Sequence, residues 1–134
     1  VSQHIYSEGG IRYQQFIDEF VHMARGDVSA IRIRKSGHPE RTNQDDLPLE
    51  EEEIARKRLF LSLSIADRER MATMFEECRS SAIHDVLAHL EWKYTSGGLR
   101  LIVEGYQLPE DPFWGEMHVD FVCRSAGDEW PAET

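Results

Sequence analysis

Apolar side chains recur at Ile11, Tyr13, Phe16, Ile17, Phe20, Val21, Met23 and Ala24. Steps of three and four make a wide apolar stripe, which predicts a helix over 11–24. Gly26 is a natural stop, and Arg25 suits the negative end of the helix before it. The pattern then changes. Ile31 and Ile33 alternate with Arg32 and Arg34, a short strand signal. Ser36 to Pro39 reads as a turn, and Glu40 to Asp46 as a polar loop.

A second helix is predicted from about Pro48 to Ser62. Asp45 or Asp46 can cap it, and Glu50 to Glu53 sit where the helix dipole favours anions. Arg56, Lys57 and Arg58 follow at pairing distance from those glutamates. A third helix starts more sharply, because Ser64 to Asp67 resembles a capping box. Its apolar positions are Met71, Met74, Phe75, Cys78, Ala82, Val86, Leu87, Leu90 and Tyr94. They stay in phase across Ser80 and Ser81, and average helix lengths favour a break there. Gly97 and Gly98 end the helical part.

Past Gly98 the period shortens to two. Leu99, Leu101 and Val103 alternate with Arg100, Ile102 and Glu104, and Met117, Val119, Phe121 and Cys123 alternate with His118, Asp120, Val122 and Arg124. Two strands of one antiparallel unit are expected. The fold class is therefore α+β: helix-dominated, with three to four helices and a small C-terminal antiparallel sheet. One domain over 1–134 is expected, with 1–10 and 126–134 as loosely packed ends.

Composition changes the picture in one respect. The 134 residues carry 25 Asp+Glu against 15 Lys+Arg, a net charge of −10. That balance opposes nucleic acids and anionic membranes as partners. The charge is segregated. Residues 99–134 hold only Arg100 and Arg124 against eight acidic side chains, net −6. The cationic cluster Arg32, Arg34, Lys35 and Arg41 lies far from them in sequence; it reads as a solvated edge or as a contact that neutralises the acidic end. The longest apolar-rich run, Leu59 to Ala66, is far short of the roughly 18 residues of a membrane span. The first ten residues carry no basic patch before an apolar stretch, so no secretory leader is expected in this chain; one removed earlier stays open. Cys78 and Cys123 lack any metal-binding spacing and read as buried thiols of a reducing compartment, which makes cytoplasm the expected location.

No nucleophile motif or phosphate-binding glycine loop is present, and no cofactor is expected. The reading leans away from an enzyme. A weak metal site can be drawn from Asp85 and His89 at i,i+4 on one helix, His22 near Asp18 on another, and His118 beside Asp120. The plainer reading of the same residues is surface hydrogen bonding. A second candidate is the loop around Phe113 and Trp114, rimmed by Glu110, Asp111 and Glu116. Exposed, its rings are recognition anchors for a basic protein; folded back, they cap the core.

Ile83-His84-Asp85-Val86-Leu87 and Asp120-Phe121-Val122-Cys123-Arg124, with Gly127-Asp128-Glu129-Trp130-Pro131, resemble a family of small acidic bacterial proteins classed as a domain of unknown function. The resemblance runs from about Ile11 onward. It implies a bacterial cytoplasmic protein and transfers no catalytic residue. The expected function is a non-catalytic protein-binding module, immunity- or antitoxin-like, for a basic partner. The alternative is a small metal-binding protein or metal-dependent enzyme. A homodimer on the third-helix face is compatible with both.

Overall fold

A computed structural model of the chain describes residues 4–36 and 50–134. Its elements are α1 (Glu8–Arg25), α2 (Val28–Ser36), α3 (Glu51–Ser62), α4 (Ile65–Ser96), β1 (Ile102–Val103), β2 (Tyr106–Gln107) and α5 (Met117–Ala126). Helix dominance with one small antiparallel sheet is as expected. The turn at Gly37 to Pro39, the loop with Arg41, and the proposed start of the second helix at Asp45 to Pro48 lie outside the described residues.

The chain forms two compact units, Gly26–Arg79 and the remainder. Helix α4 gives residues 65–79 to the first and 80–96 to the second.

The first unit corrects the strand expected at Ile31 to Arg34. That segment is helical because Asp27 caps it, accepting the Ala30 N–H at 3.0 Å. Ala30 and Ile33, three apart, then share a core with Phe60 and Ala72, while Ile31 faces outward. Helix α3 begins at Glu51, with the Glu50 N–H donating to the Glu53 carboxylate at 3.0 Å. At the start of α4, Ser64 accepts the Asp67 N–H at 3.1 Å, the expected cap. That serine, and then Arg70, hold the Asp67 carboxyl below its ordinary range. Arg34 finds its partners within its own unit. It pairs with Glu69 at 2.9 Å and with Glu76, both on α4, and Arg34 pulls the Glu76 carboxyl below its ordinary range.

Helix α4 runs unbroken through Ser80 and Ser81, against the expected break. Serine is only mildly unfavourable inside a helix, and the apolar phase is kept on both sides. Which face is buried also differs from expectation. In residues 80–96 the inward residues are Leu87, Glu91 and Tyr94, while Val86 is exposed; in residues 65–79 Met74 and Phe75 are exposed. Cys78 is exposed, not buried, and Cys123 is half-buried; both are free thiols.

In the second unit α1 presents Tyr13, Ile17, Val21 and Ala24 to a core completed by Leu87, Tyr94, Leu108, Phe113, Met117 and Phe121. The sheet is a hairpin in which Ile102 opposes Gln107 and Val103 opposes Tyr106. Its two-residue turn has Glu104 and Gly105 both at positive φ, the geometry that matches strand twist. The expected second strand at 117–124 is helix α5 instead. Met117, Asp120 and Phe121 form its buried face at i, i+3 and i+4. Gly127, at φ 93, closes it, with the Gly127 N–H donating to Arg124 O and the Asp128 N–H to Cys123 O, each at 3.1 Å.

The C-terminal segment packs on this unit. The Trp130 ring packs at a tilt against Phe113 at 4.7 Å and Trp114 at 5.4 Å, and the Trp130 carbonyl accepts the Tyr6 hydroxyl. Glu133 accepts the Ser7 N–H at 2.8 Å and the Ser7 hydroxyl at 2.6 Å, placing an anion at the start of α1.

Candidate binding cavity

Helix α4, the 108–116 connection and the start of α5 enclose a cavity of about 240 Å³ lined by Ala88, Glu91, Trp92, Thr95, Asp111, Gly115, Glu116 and His118. Glu91 reaches it because it lies between Leu87 and Tyr94 on the buried side of α4; it is only 7% exposed. Its Oε2 accepts the Met117 N–H at 3.1 Å. Burial, above all, pushes its pKa up to about 7, with Asp111 and Glu116 adding to the rise and the Met117 bond opposing it.

Asp111 sits at φ 47, a left-handed conformation that aspartate tolerates better than most residues. The Thr134 hydroxyl donates to its carbonyl at 2.9 Å. Trp92, one position beyond Glu91, turns outward and is 55% exposed. The Lys93 ammonium lies 4.8 Å from its ring centre, and the His89 ring at 5.8 Å.

The same unit holds a buried polar anchor. Asp120, fully buried on α5, accepts the Tyr13 hydroxyl at 2.5 Å and the Trp114 N–H at 2.9 Å. Burial raises the Asp120 carboxyl above its ordinary range despite both bonds. The Tyr13 hydroxyl is pushed far above its usual value, first by burial and then by the bond to Asp120. This pair ties α1 to α5 and fixes the backbone at Trp114.

The residues singled out from sequence divide between places. Asp111 and Glu116 line the cavity together with His118, whose Nε2 lies 3.1 Å from Glu116. The His118 ring meets the His84 ring edge-on at 5.1 Å, and His84 in turn contacts Asp85 at 3.2 Å. His89 is exposed. His22 is on α1 in an open cleft with Gln15, Asp18, Glu19 and Met23. Asp18 itself is taken by Arg124 at 2.8 Å and the Trp130 indole at 3.3 Å. Among the described residues, no group of three or more His, Cys, Asp or Glu side chains is placed to hold a metal ion.

Of the two readings open for the aromatic loop, Phe113 takes the core one, against Tyr13, Tyr6 and Trp130. Trp114 is half-buried against Trp130, and Glu110 is exposed and pairs with Arg100 at 3.4 Å. Glu91 and Trp92 have no role in the sequence reading; Tyr13 appears there only in the stripe of the first helix, and Asp120 only beside His118 and in the family-like motif. Glu91 was visible as a charge inside an apolar helical stripe, which is a signal of its own.

Fold and cavity together define a small helix-dominated α+β protein with a carboxyl-lined pocket. The chain belongs to DUF6547, a family of unknown function whose model spans residues 8–132. No curated protein and no solved structure matches it. Among the described residues, no helix is long and apolar enough to cross a membrane.

Proposed function

We propose that this chain is a non-catalytic module that binds a basic protein partner, and that the cavity takes one of the partner's cationic side chains. The observation that carries the reading is the meeting of three carboxyl side chains, Glu91, Asp111 and Glu116, around one open pocket beside the exposed Trp92. A lysine or arginine head entering there meets oxygen acceptors and an aromatic face. The Lys93 ammonium near Trp92 supports this, since that ring already accommodates a cation. The net charge of −6 over residues 99–134 steers such a partner towards this end of the sequence. An immunity or antitoxin-like role, masking a basic toxin in a bacterial cytoplasm, is the most concrete form of the proposal.

The test is a titration of the full chain with lysine-rich and arginine-rich peptides, followed by tryptophan fluorescence and amide NMR. Saturable shifts confined to 88–95 and 111–118 are expected. Glu116→Gln and Trp92→Ala are each expected to weaken binding about tenfold, the size of one lost charge-assisted or aromatic contact. Unperturbed spectra, or binding indifferent to both substitutions, would sink the reading.

A further inference from the structure

We infer that the segment 128–134 is a strap that fixes the cavity wall at Asp111 and Pro112, and that opening of its tip regulates the binding proposed above. The regulation rests on that binding; the fixing of the wall does not.

The strap starts where α5 stops. Gly127 ends the helix at φ 93, and no helix or strand follows over 128–134. Trp130 is the anchor. Its ring packs against Phe113 and Trp114, its indole N–H donates to Asp18 at 3.3 Å, and the Arg124 guanidinium lies 5.1 Å from the ring centre. Past the anchor the attachments change character. Glu133 accepts the Ser7 N–H and hydroxyl. Thr134 donates its N–H to Pro112 O at 3.0 Å and its hydroxyl to Asp111 O at 2.9 Å. The bonds from Ser7 to Glu133 and from the Thr134 hydroxyl to Asp111 are exposed, so water competes for them. An aromatic anchor followed by solvent-exposed polar fasteners opens from the tip first.

The wall needs those fasteners. The Leu108 N–H is tied to Leu101 O at 2.8 Å, and the Trp114 N–H to Asp120 at 2.9 Å. Between these fixed points Pro109 and Pro112 have no N–H to donate. Thr134 holds the backbone there, through the carbonyls of Asp111 and Pro112. Asp111 sits at φ 47, a conformation that persists only while its surroundings enforce it. Asp111 also lines the cavity with Glu91 and Glu116. With the tip closed, Asp111 keeps its place among those acceptors. With the tip open, its backbone returns to negative φ and the wall loses that place. A cation that uses Asp111 therefore binds the closed form more tightly, and by linkage its binding closes the tip.

Solvent exchange of the Thr134 amide in the full chain, followed by NMR together with the shifts of the Glu110, Asp111 and Phe113 amides, tests this. Glu133→Ala removes the fastener at Ser7. It should speed Thr134 exchange about fivefold, the worth of one net hydrogen bond. The three wall amides should shift with it, while those of Asp120 and Phe121 hold. Glu133→Gln keeps an acceptor oxygen and should leave the wall as it is. A Thr134 amide that exchanges faster while the wall amides stay put would overturn the strap. Saturating the unaltered chain with a lysine-rich peptide should slow Thr134 exchange by a similar factor. A peptide that binds and leaves that exchange unchanged would overturn the regulation. If no peptide binds, the proposed function falls and the regulation with it, while the amide shifts still decide whether the strap fixes the wall. Should Glu133→Ala fail to fold, Thr134→Val, which removes only the hydroxyl bond to Asp111, decides by the shifts of the same wall amides.

Discussion

The carboxylate of Glu91 on α4 accepts the backbone N–H of Met117 at 3.1 Å, so one helix supplies the N-terminal acceptor of another. Glu116, at the cap position of α5, makes no such bond with its own side chain. Glu91→Ala therefore leaves a buried donor unmet. It is expected to cost about 1–3 kcal/mol in urea unfolding. Glu91→Gln keeps an acceptor oxygen and should retain most of that stability at pH 5.

The same carboxyl makes stability pH-dependent. Its folded pKa of about 7 lies above the unfolded value of 4.5, so the fold holds the proton more tightly. The contribution is complete below the unfolded value and is lost as pH rises through about 7. Each tenfold change in proton affinity is worth about 1.4 kcal/mol, so the full effect is on the order of 3 kcal/mol. Denaturation curves at pH 5 and pH 8 should show this decline, and Glu91→Gln should flatten it. Equal slopes in the two proteins would refute the assignment.

Tyr13→Phe removes the hydroxyl that Asp120 accepts at 2.5 Å and leaves a fully buried carboxyl with the Trp114 N–H. A loss of about 1–3 kcal/mol is expected. A double-mutant cycle with Asp120→Asn should give a coupling well above zero. Additive losses would mean that the pair is not the link between α1 and α5.

Gly10 is held by packing. A Cβ there would lie 2.6 Å from the Glu133 carboxylate. Gly10→Ala should displace Glu133 from Ser7 and lower the stability by roughly 1 kcal/mol, the worth of the bonds lost. In a Glu133→Ala background the same substitution should be neutral or stabilising, because alanine favours the helix. Thermal unfolding of the four proteins separates the two cases.

Gly127 answers to backbone geometry. Its φ of 93 is reached freely only without a side chain, and nothing lies within 4 Å of a Cβ placed there. Gly127→Ala should cost about 1 kcal/mol with no steric component, measured by chemical denaturation.

The parts of the fold legible in the sequence are those where one segment carries its own signal. Helix α1 has a stripe and a glycine stop, and the start of α4 has a serine cap; both are found where the pattern puts them. The segments read as strands, at 31–34 and 117–124, mix a period of two with a helical period, and neighbours decide between them. Ala30 and Ile33 meet Phe60 and Ala72; Met117 and Phe121 meet the core of α1. Asp27 and Gly127 were the local signals for helix, but their weight depends on which face finds partners.

The cavity follows the same division. Asp111, Glu116 and His118 are visible in the sequence as chemistry-bearing residues near an aromatic loop, but nothing in it brings Glu91 to them. What the sequence by itself determined is the helical majority, the acidic end and the family. The tertiary structure decided which face of α4 is buried, which segments are helices, and that Glu91 lines one cavity with Asp111 and Glu116. The reason is physical: periodicity records which side of an element can be buried, whereas the gathering of carboxyls from separate elements around one cavity depends on distances that only packing sets.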